Sequence, residues 1–123
     1  MYPTDRRYTK DHEWVTVSGS TGRVGITDYA QKQLGDVVFV ELPELGRSVA
    51  QGQACGTIES VKAVSELYSP VSGKVVEANQ SVTAKPESIN ADPHGTWLLL
   101  VELSSPQEID SLLTAQQYEE LVK

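Results

Sequence analysis

Residues 56–74, which read GTIESVKAVSELYSPVSGK, place one lysine between two stretches of the same form. The first stretch is SVAQGQACGTIESV (48–61) and the second is AVSELYSPVSGKVVEAN (63–79); each has the pattern of a strand, a tight turn and a second strand. Lys62 lies at the midpoint, in a run of apolar and small residues. We therefore expect a hairpin between the two stretches that holds Lys62 at its tip, away from the body of the domain.

The rest of the chain is typical of a β-rich protein with many turns. The main strand candidates outside the hairpin are WVTV (14–17), GRVGIT (22–27), DVVFVEL (36–42) and WLLLVEL (97–103). A long segment rich in turn residues, SVTAKPESINADPHG, precedes the last of these strands. Short strands with little helix between them predict a single all-β domain over residues 1–123, arranged as a sandwich or barrel.

Short helices are expected where capping residues precede a helical pattern. Thr27 or Asp28 is the cap candidate for a helix over 27–35, which ends at a glycine. Residues 105–108, SPQE, combine an N-cap serine, a proline at the first helical position and a glutamate three residues after the cap. Residues 114–117, TAQQ, indicate a second C-terminal helix of the same kind.

The charge balance limits the classes of partner. Ten basic residues against 17 acidic ones give a formal net charge of −7, which argues against binding to nucleic acid or to an anionic membrane surface. No apolar run approaches the roughly 18–20 residues of a membrane span, and the N-terminus lacks the apolar core of a signal peptide. We expect a cytoplasmic protein. Cys55 is the only cysteine, and His12 and His94 lack zinc-ligand spacing, so we expect no disulfide and no metal site.

Residue type alone does not give Lys62 a function. Most lysines are exposed and have no special role, and the chain has five others. A Schiff-base lysine would need a desolvated pocket that lowers its pKa, and a hairpin tip does not provide one. From the residues, Lys62 is therefore either an ordinary surface lysine or an amine presented for modification.

Several motifs, in order along the chain, resemble the glycine cleavage H-protein family. They are HEW (12–14), GITDYAQKQLGDVVFVELPELG (25–46), ESVKA (59–63), SPVSGKVVEAN (69–79) and a P-x-x-I-N segment (86–90). The resemblance runs nearly end to end. It implies a lipoyl/biotinyl-type barrel-sandwich hybrid of two antiparallel sheets, with a short internal helix and C-terminal helices.

The resemblance also implies a function for Lys62. In the family, the equivalent lysine is amide-linked to lipoic acid, and the arm carries an aminomethyl group from glycine decarboxylase to the tetrahydrofolate-dependent aminomethyltransferase. Dihydrolipoamide dehydrogenase then re-oxidises the arm. The chain is accordingly expected to be a non-catalytic shuttle, modified at Lys62 by a lipoate-attaching enzyme.

Further site residues follow from the same resemblance. Glu59, Ser60, Val61 and Ala63 are expected to form the local surface that the lipoate-attaching enzyme recognises. Glu13 of the HEW motif is expected to contact the loaded arm when it is docked against the domain. From residue type alone, Glu13 would instead be an ordinary surface charge next to a core tryptophan.

Three other interpretations stay open from the sequence. A biotin carrier usually has methionines beside its lysine, whereas Val61 and Ala63 flank Lys62. A lipoyl domain of a 2-oxoacid dehydrogenase, or a relay that passes lipoate to such complexes, would share the hairpin. An acidic interaction module would leave Lys62 unmodified.

Overall fold

The computed structural model describes residues 2–123 as two antiparallel sheets with short helices at their edges. The strands are β1 (Arg7–Tyr8), β2 (Glu13–Ser18), β3 (Thr21–Ile26), β4 (Val37–Glu41), β5 (Ser48–Val49), β6 (Ala54–Ser60), β7 (Val64–Tyr68), β8 (Gly73–Ala78) and β9 (Leu99–Leu103). The larger sheet has the strand order β1-β2-β3-β9-β8-β5 and the smaller has the order β4-β6-β7. The predicted all-β fold of two antiparallel sheets is confirmed. The sequence pattern missed β1, which has two residues and therefore shows no alternation, whereas β5 is the first strand expected within residues 48–61.

One apolar core lies between the two sheets. Val40 and Ile58 are paired across β4 and β6, and both are almost fully buried. Val75 and Val101 are paired across β8 and β9 and are fully buried from the other side. Burying a side chain of this size contributes about 1.5–3 kcal/mol, so the pairing of inward-facing residues holds the sheets together.

Helix α1 (Asp28–Leu34) begins and ends as the sequence predicts. The Thr27 hydroxyl accepts a hydrogen bond from the backbone N–H of Ala30, so Thr27 rather than Asp28 is the cap. Gly35 ends the helix with φ of 81° and ψ of −159°, a backbone region that is almost confined to glycine. The helix is thereby fixed at both ends by the chemistry of single residues.

The C-terminal residues follow the prediction in one helix and depart from it in another. Helix α4 (Ala115–Leu121) has the expected capping box between Thr114 and Gln117. Ser105 occupies the predicted N-cap position with Pro106 directly after it, but residues 106–111 form a 3₁₀ helix and the Ser105 side chain makes no capping bond. The Glu108 carboxylate instead accepts hydrogen bonds from the backbone N–H and hydroxyl of Ser72, which the sequence separation concealed.

Two further helices lie in the segment expected to be turns, α2 (Gln80–Ala84) and α3 (Ser88–Ala91). Their apolar residues Val82 and Ile89 are about 1% exposed, and both belong to the core between the sheets. Within residues 2–123, no helix is long and apolar enough to cross a membrane.

The C-terminal segment closes over the N-terminal strand. Backbone hydrogen bonds run in both directions between Tyr8 and Leu113. The Tyr8 and Tyr118 rings stack with centroids 4.9 Å apart, and they form a second buried cluster with Trp14 and Ala115. The last helix is therefore joined to the edge of the larger sheet where β2 begins.

Candidate functional site

Lys62 lies in the turn of the β6–β7 hairpin, as the sequence predicts. The strands pair up to Glu59 and Val64, and the Ser60 backbone N–H then donates to the Ala63 carbonyl at 2.8 Å. The Ser60 hydroxyl accepts from the backbone N–H groups of Lys62 (3.3 Å) and Ala63 (3.0 Å). Ser60 is only 5% exposed, so its side chain stabilises the turn from inside while Lys62 is exposed outside it.

The hairpin tip is attached to the end of α1. The Val61 backbone N–H donates to the Asp36 carbonyl at 3.0 Å, and the Lys62 side chain lies over Gly35. A methyl group placed on Gly35 would be 3.3 Å from Lys62 Cε, so the glycine leaves room for the lysine side chain. The tip is thus a defined turn rather than a free loop.

Asn90 supports this attachment from the other side. Its amide nitrogen donates to the Gly35 carbonyl and to Gln31 Oε1, both at 2.9 Å, and its amide oxygen accepts from the Val37 N–H at 2.8 Å. These bonds fix the chain between α1 and β4, which in turn holds Val61. The sequence showed the P-x-x-I-N segment but gave no indication of this contact.

Exposed apolar side chains flank the tip. Val61 and Val64 are 69% and 68% exposed, and Phe39 lies on the same outer face of the smaller sheet at 50%. Glu59 stands between Phe39 and Val64 in the strand register and is also exposed. Of the residues expected to be recognised during modification, Glu59, Val61 and Ala63 are therefore accessible, whereas Ser60 is not.

A cleft of about 300 Å³ opens beside the hairpin. One wall is formed by Asp11 and His12 of the loop before β2 and by Glu13, the first residue of β2, and another wall is formed by α1. Residues 63–66 of the hairpin complete it. The cleft therefore adjoins the turn that presents Lys62.

Glu13 is buried in the wall of this cleft, so the interpretation of Glu13 as a surface charge is wrong. It is 2% exposed; its carboxylate accepts from the Thr9 hydroxyl at 2.6 Å and from the Tyr68 N–H at 3.3 Å. Burial raises the pKa of Glu13 to about 8, although these two hydrogen bonds act in the opposite direction. A second cleft, of about 310 Å³, reaches Glu13 from the side of Tyr68.

The loop before Glu13 depends on a contact that the sequence did not reveal. His12 is the one non-glycine residue with positive φ (72°) in the described part of the chain. Its Nδ1 atom lies 2.7 Å from the Tyr118 hydroxyl, and that hydroxyl lies 2.8 Å from Thr27 Oγ1. Tyr118 is 106 residues from His12 in sequence, and no local pattern relates the two.

The cysteine and the second histidine have contacts that are typical of structural residues. Cys55 is 3% exposed, and burial raises the pKa of its thiol to about 11. His94 is half-buried and accepts a hydrogen bond from the Asp28 N–H at the start of α1. Between residues 2 and 123, no group of three or more His, Cys, Asp or Glu side chains is arranged to hold a metal ion.

Known proteins that are similar to this chain belong to one family. The family model "Glycine cleavage H-protein" matches residues 6–123. The glycine cleavage system H protein of Symbiobacterium thermophilum is 56% identical over 122 residues (98% of this chain and 95% of that protein), and that of Acidobacterium capsulatum is 52% identical over 122 residues (99% and 95%). The crystal structure of a glycine cleavage system H protein from Mycobacterium marinum superposes with a TM-score of 0.89 at 43% identity, covering 97% of each chain. The resemblance found in the sequence is therefore confirmed: the chain belongs to the glycine cleavage H-protein family.

Proposed function

We propose that Lys62 carries lipoic acid in amide linkage and that the β6–β7 hairpin presents this arm to the enzymes of the glycine cleavage system. Family membership makes the chain a lipoyl-carrier component of that system and not one of its enzymes. Bound lipoate supplies a disulfide that can open, hold a transferred group on one sulfur and close again by thiol–disulfide exchange. The protein itself must present the amine, support the turn and shelter the arm.

The position of Lys62 is the observation that carries this proposal. The side chain is exposed at the apex of a turn that Ser60 and Asp36 hold by hydrogen bonds. Among residues 2–123, the ion pairs involve Arg6, Lys32 and Lys123, and Lys62 is in none of them. A modifying enzyme can therefore reach the amine without opening the fold or breaking an ion pair.

The proposed partners are glycine decarboxylase, aminomethyltransferase, dihydrolipoamide dehydrogenase and the lipoate-attaching enzyme. Val61, Ala63 and Glu59 offer this last enzyme an accessible surface with two apolar side chains and one carboxylate. We assign Ser60 an indirect part in recognition, because its buried hydroxyl sets the conformation of the turn. The apolar side chains near the tip are exposed in the free protein and can be buried when a partner binds. A few such side chains supply most of the binding energy of an interface.

We further propose that Glu13 receives the amine of the loaded arm. Its carboxyl group is buried in a cleft that adjoins the hairpin, and its hydrogen-bond partners are a hydroxyl and a backbone N–H rather than a cation. Burial of an ionised carboxylate without a cation is unfavourable, and a protonated amine in the cleft would offset that cost. Docking would also keep the loaded group away from bulk water.

Intact-mass analysis tests the attachment site. Incubation with a lipoate ligase, lipoate and ATP should add one lipoyl increment to the chain, and Lys62→Arg should abolish it. Lys74→Arg, which changes an exposed lysine on β8, is the matched control and should be modified normally. An increment retained in Lys62→Arg, or lost in Lys74→Arg, would contradict the assignment. If neither the parent chain nor Lys74→Arg gained a lipoyl increment, the result would support an unmodified interaction module.

Two expectations from the sequence remain proposals. We propose that residues 1–123 form one carrier domain, since both sheets contribute to a single core; residue 1 lies outside the described residues. The cytoplasmic location also stays a prediction, which fractionation of the source cells would test.

A further inference from the structure

The turn that precedes Glu13 has a residue in a conformation that usually requires glycine. The Thr9 N–H donates to the Glu13 carbonyl, and the His12 N–H donates to the Thr9 carbonyl, which closes a three-residue turn between β1 and β2. Such hairpin turns commonly have glycine or asparagine in the left-handed position. His12 occupies that position with φ of 72°, so the side chain must be favoured there for a reason other than backbone conformation.

The contacts of the His12 ring supply that reason. Its Nδ1 atom is hydrogen-bonded to the Tyr118 hydroxyl at 2.7 Å, and its ring lies 4.6 Å from the Tyr29 ring between centroids. The Tyr118 side chain is 0% exposed and stacks on Tyr8, so the hydroxyl that His12 meets has a fixed position. A glycine in the turn would relieve the backbone but lose this connection to the C-terminal helix.

Tyr118 joins the two walls of the cleft that contains Glu13. On one side its hydroxyl bonds His12, the residue directly before Glu13. On the other it bonds Thr27, the cap of α1, at 2.8 Å. A backbone bond of 3.0 Å from the Thr27 N–H to the His12 carbonyl closes the connection. One hydroxyl group on the last helix therefore sets the loop and α1 relative to each other.

We propose that Tyr118 and His12 are positioning residues that hold the Glu13 carboxyl in the cleft for the amine of the lipoyl arm. The inference rests on the proposed docking role of Glu13. It assigns the C-terminal helix a part in sheltering the arm, although no residue of that helix lines the cleft. Hydroxyl loss at Tyr118 should free the loop, and Glu13 should then turn toward solvent.

Tyr118→Phe removes only the hydroxyl, and the chain offers a matched control. Tyr8→Phe removes another phenol hydroxyl from the same stacked pair, but that hydroxyl donates to the Pro3 carbonyl, and Tyr8 lines the second cleft rather than the one that adjoins the hairpin. Carbon-13 NMR of the unmodified proteins should show the pKa of Glu13 lowered by about one pH unit or more in Tyr118→Phe, since exposure removes the desolvation that raises it. Tyr8→Phe should leave that pKa unchanged. Equal effects of the two variants would mean a general loss of packing and would overturn the proposal.

His12→Asn tests the other end of the contact, because asparagine tolerates positive φ but lacks the ring. It should lower the pKa of Glu13 as Tyr118→Phe does, and the double variant should lower it no further. Fully additive shifts would show that the two residues act separately and would also overturn the proposal. This readout needs no lipoate, so it applies even where a variant is poorly modified.

Loss of the loaded group to hydrolysis then separates the two proposals. In lipoylated protein loaded by glycine decarboxylase, Tyr118→Phe should shorten the lifetime about threefold to tenfold, the equivalent of one net hydrogen bond, and Tyr8→Phe should not. Glu13→Gln should shorten it at least as much. If Glu13→Gln has no effect, the docking role of Glu13 fails, while the NMR result still decides whether Tyr118 positions it. If Glu13→Gln shortens the lifetime and Tyr118→Phe does not, only the positioning role fails.

Discussion

Replacement of Glu13 by glutamine should make the stability of the protein less dependent on pH. Burial raises the pKa of this carboxyl from 4.5 to about 8 in the folded chain, against the hydrogen bonds from Thr9 and Tyr68 and with a smaller contribution from Asp11. In the unfolded chain the group titrates near its ordinary value. Between these two pH values the folded chain keeps a proton that the unfolded chain has released, so the free energy of unfolding falls as the pH rises.

The size of the effect follows from the interval between the two pKa values. Each pH unit within it lowers the free energy of unfolding by about 1.4 kcal/mol, which amounts to about 3–4 kcal/mol between about pH 5 and about pH 8. Glutamine is neutral throughout, so Glu13→Gln lacks this loss. The glutamine amide can accept from the Tyr68 N–H through its oxygen and donate to the Thr9 hydroxyl through its nitrogen, so the exchange of hydrogen bonds adds a cost of about 1 kcal/mol that does not vary with pH. The free energy of unfolding of Glu13→Gln, relative to that of the parent protein, should therefore increase as the pH rises.

Urea unfolding of both proteins across this pH range measures that difference. Glu44→Gln, which makes the same change of residue type at an exposed glutamate, is the matched control. A constant difference between Glu13→Gln and the parent would refute the reasoning. It would mean that Glu13 titrates alike in the folded and unfolded chains and that the cleft does not desolvate it.

Three further predictions concern the parts that support the hairpin and the last helix. Gly35→Ala should lower the free energy of unfolding by about 1–3 kcal/mol, because φ of 81° with ψ of −159° is strained for alanine; an unchanged urea midpoint would contradict this. Asn90→Ala should lower the free energy of unfolding by about 2–4 kcal/mol, since the Val37 N–H and the Gly35 carbonyl both lose a hydrogen-bond partner. Amide exchange at Val37 should accelerate, and unchanged protection there would count against the contact. Thr114→Ala should cost about 1 kcal/mol by loss of the capping box, seen as faster amide exchange in the first turn of α4; equal exchange in both proteins would show that the cap is dispensable.

Local patterns predicted the parts of the structure that local chemistry determines. The hairpin around Lys62 could be placed because strand patterns on both sides of it meet at a short turn. Helix α1 could be bounded because Thr27 caps it and Gly35 ends it, and both effects act within a few residues. The same reasoning placed the helix start at Ser105 but not its hydrogen bonds, since Glu108 finds a better partner in the turn at Ser72 than in its own helix.

The surroundings of Glu13 could not be predicted in this way. Glutamate is usually exposed, and nothing in the HEW motif itself indicates burial. The buried carboxyl accepts hydrogen bonds from Thr9 and from Tyr68, and Tyr68 is 55 residues away in sequence. The contact of His12 with Tyr118 spans most of the chain. Such contacts depend on how the two sheets and the last helix pack, which no single segment specifies.

The burial of Cys55 has a consequence for the redox isolation of the arm. A sulfhydryl and a disulfide on one molecule meet at a high local concentration, so an accessible cysteine near the hairpin would tend to capture an oxidised dithiolane as a mixed disulfide. The chain has one cysteine, within β6 of the same hairpin, and it faces the core with its ionisation suppressed. The buried, un-ionised thiol therefore cannot attack the dithiolane of the proposed arm, and the oxidised arm stays free for its partner enzymes.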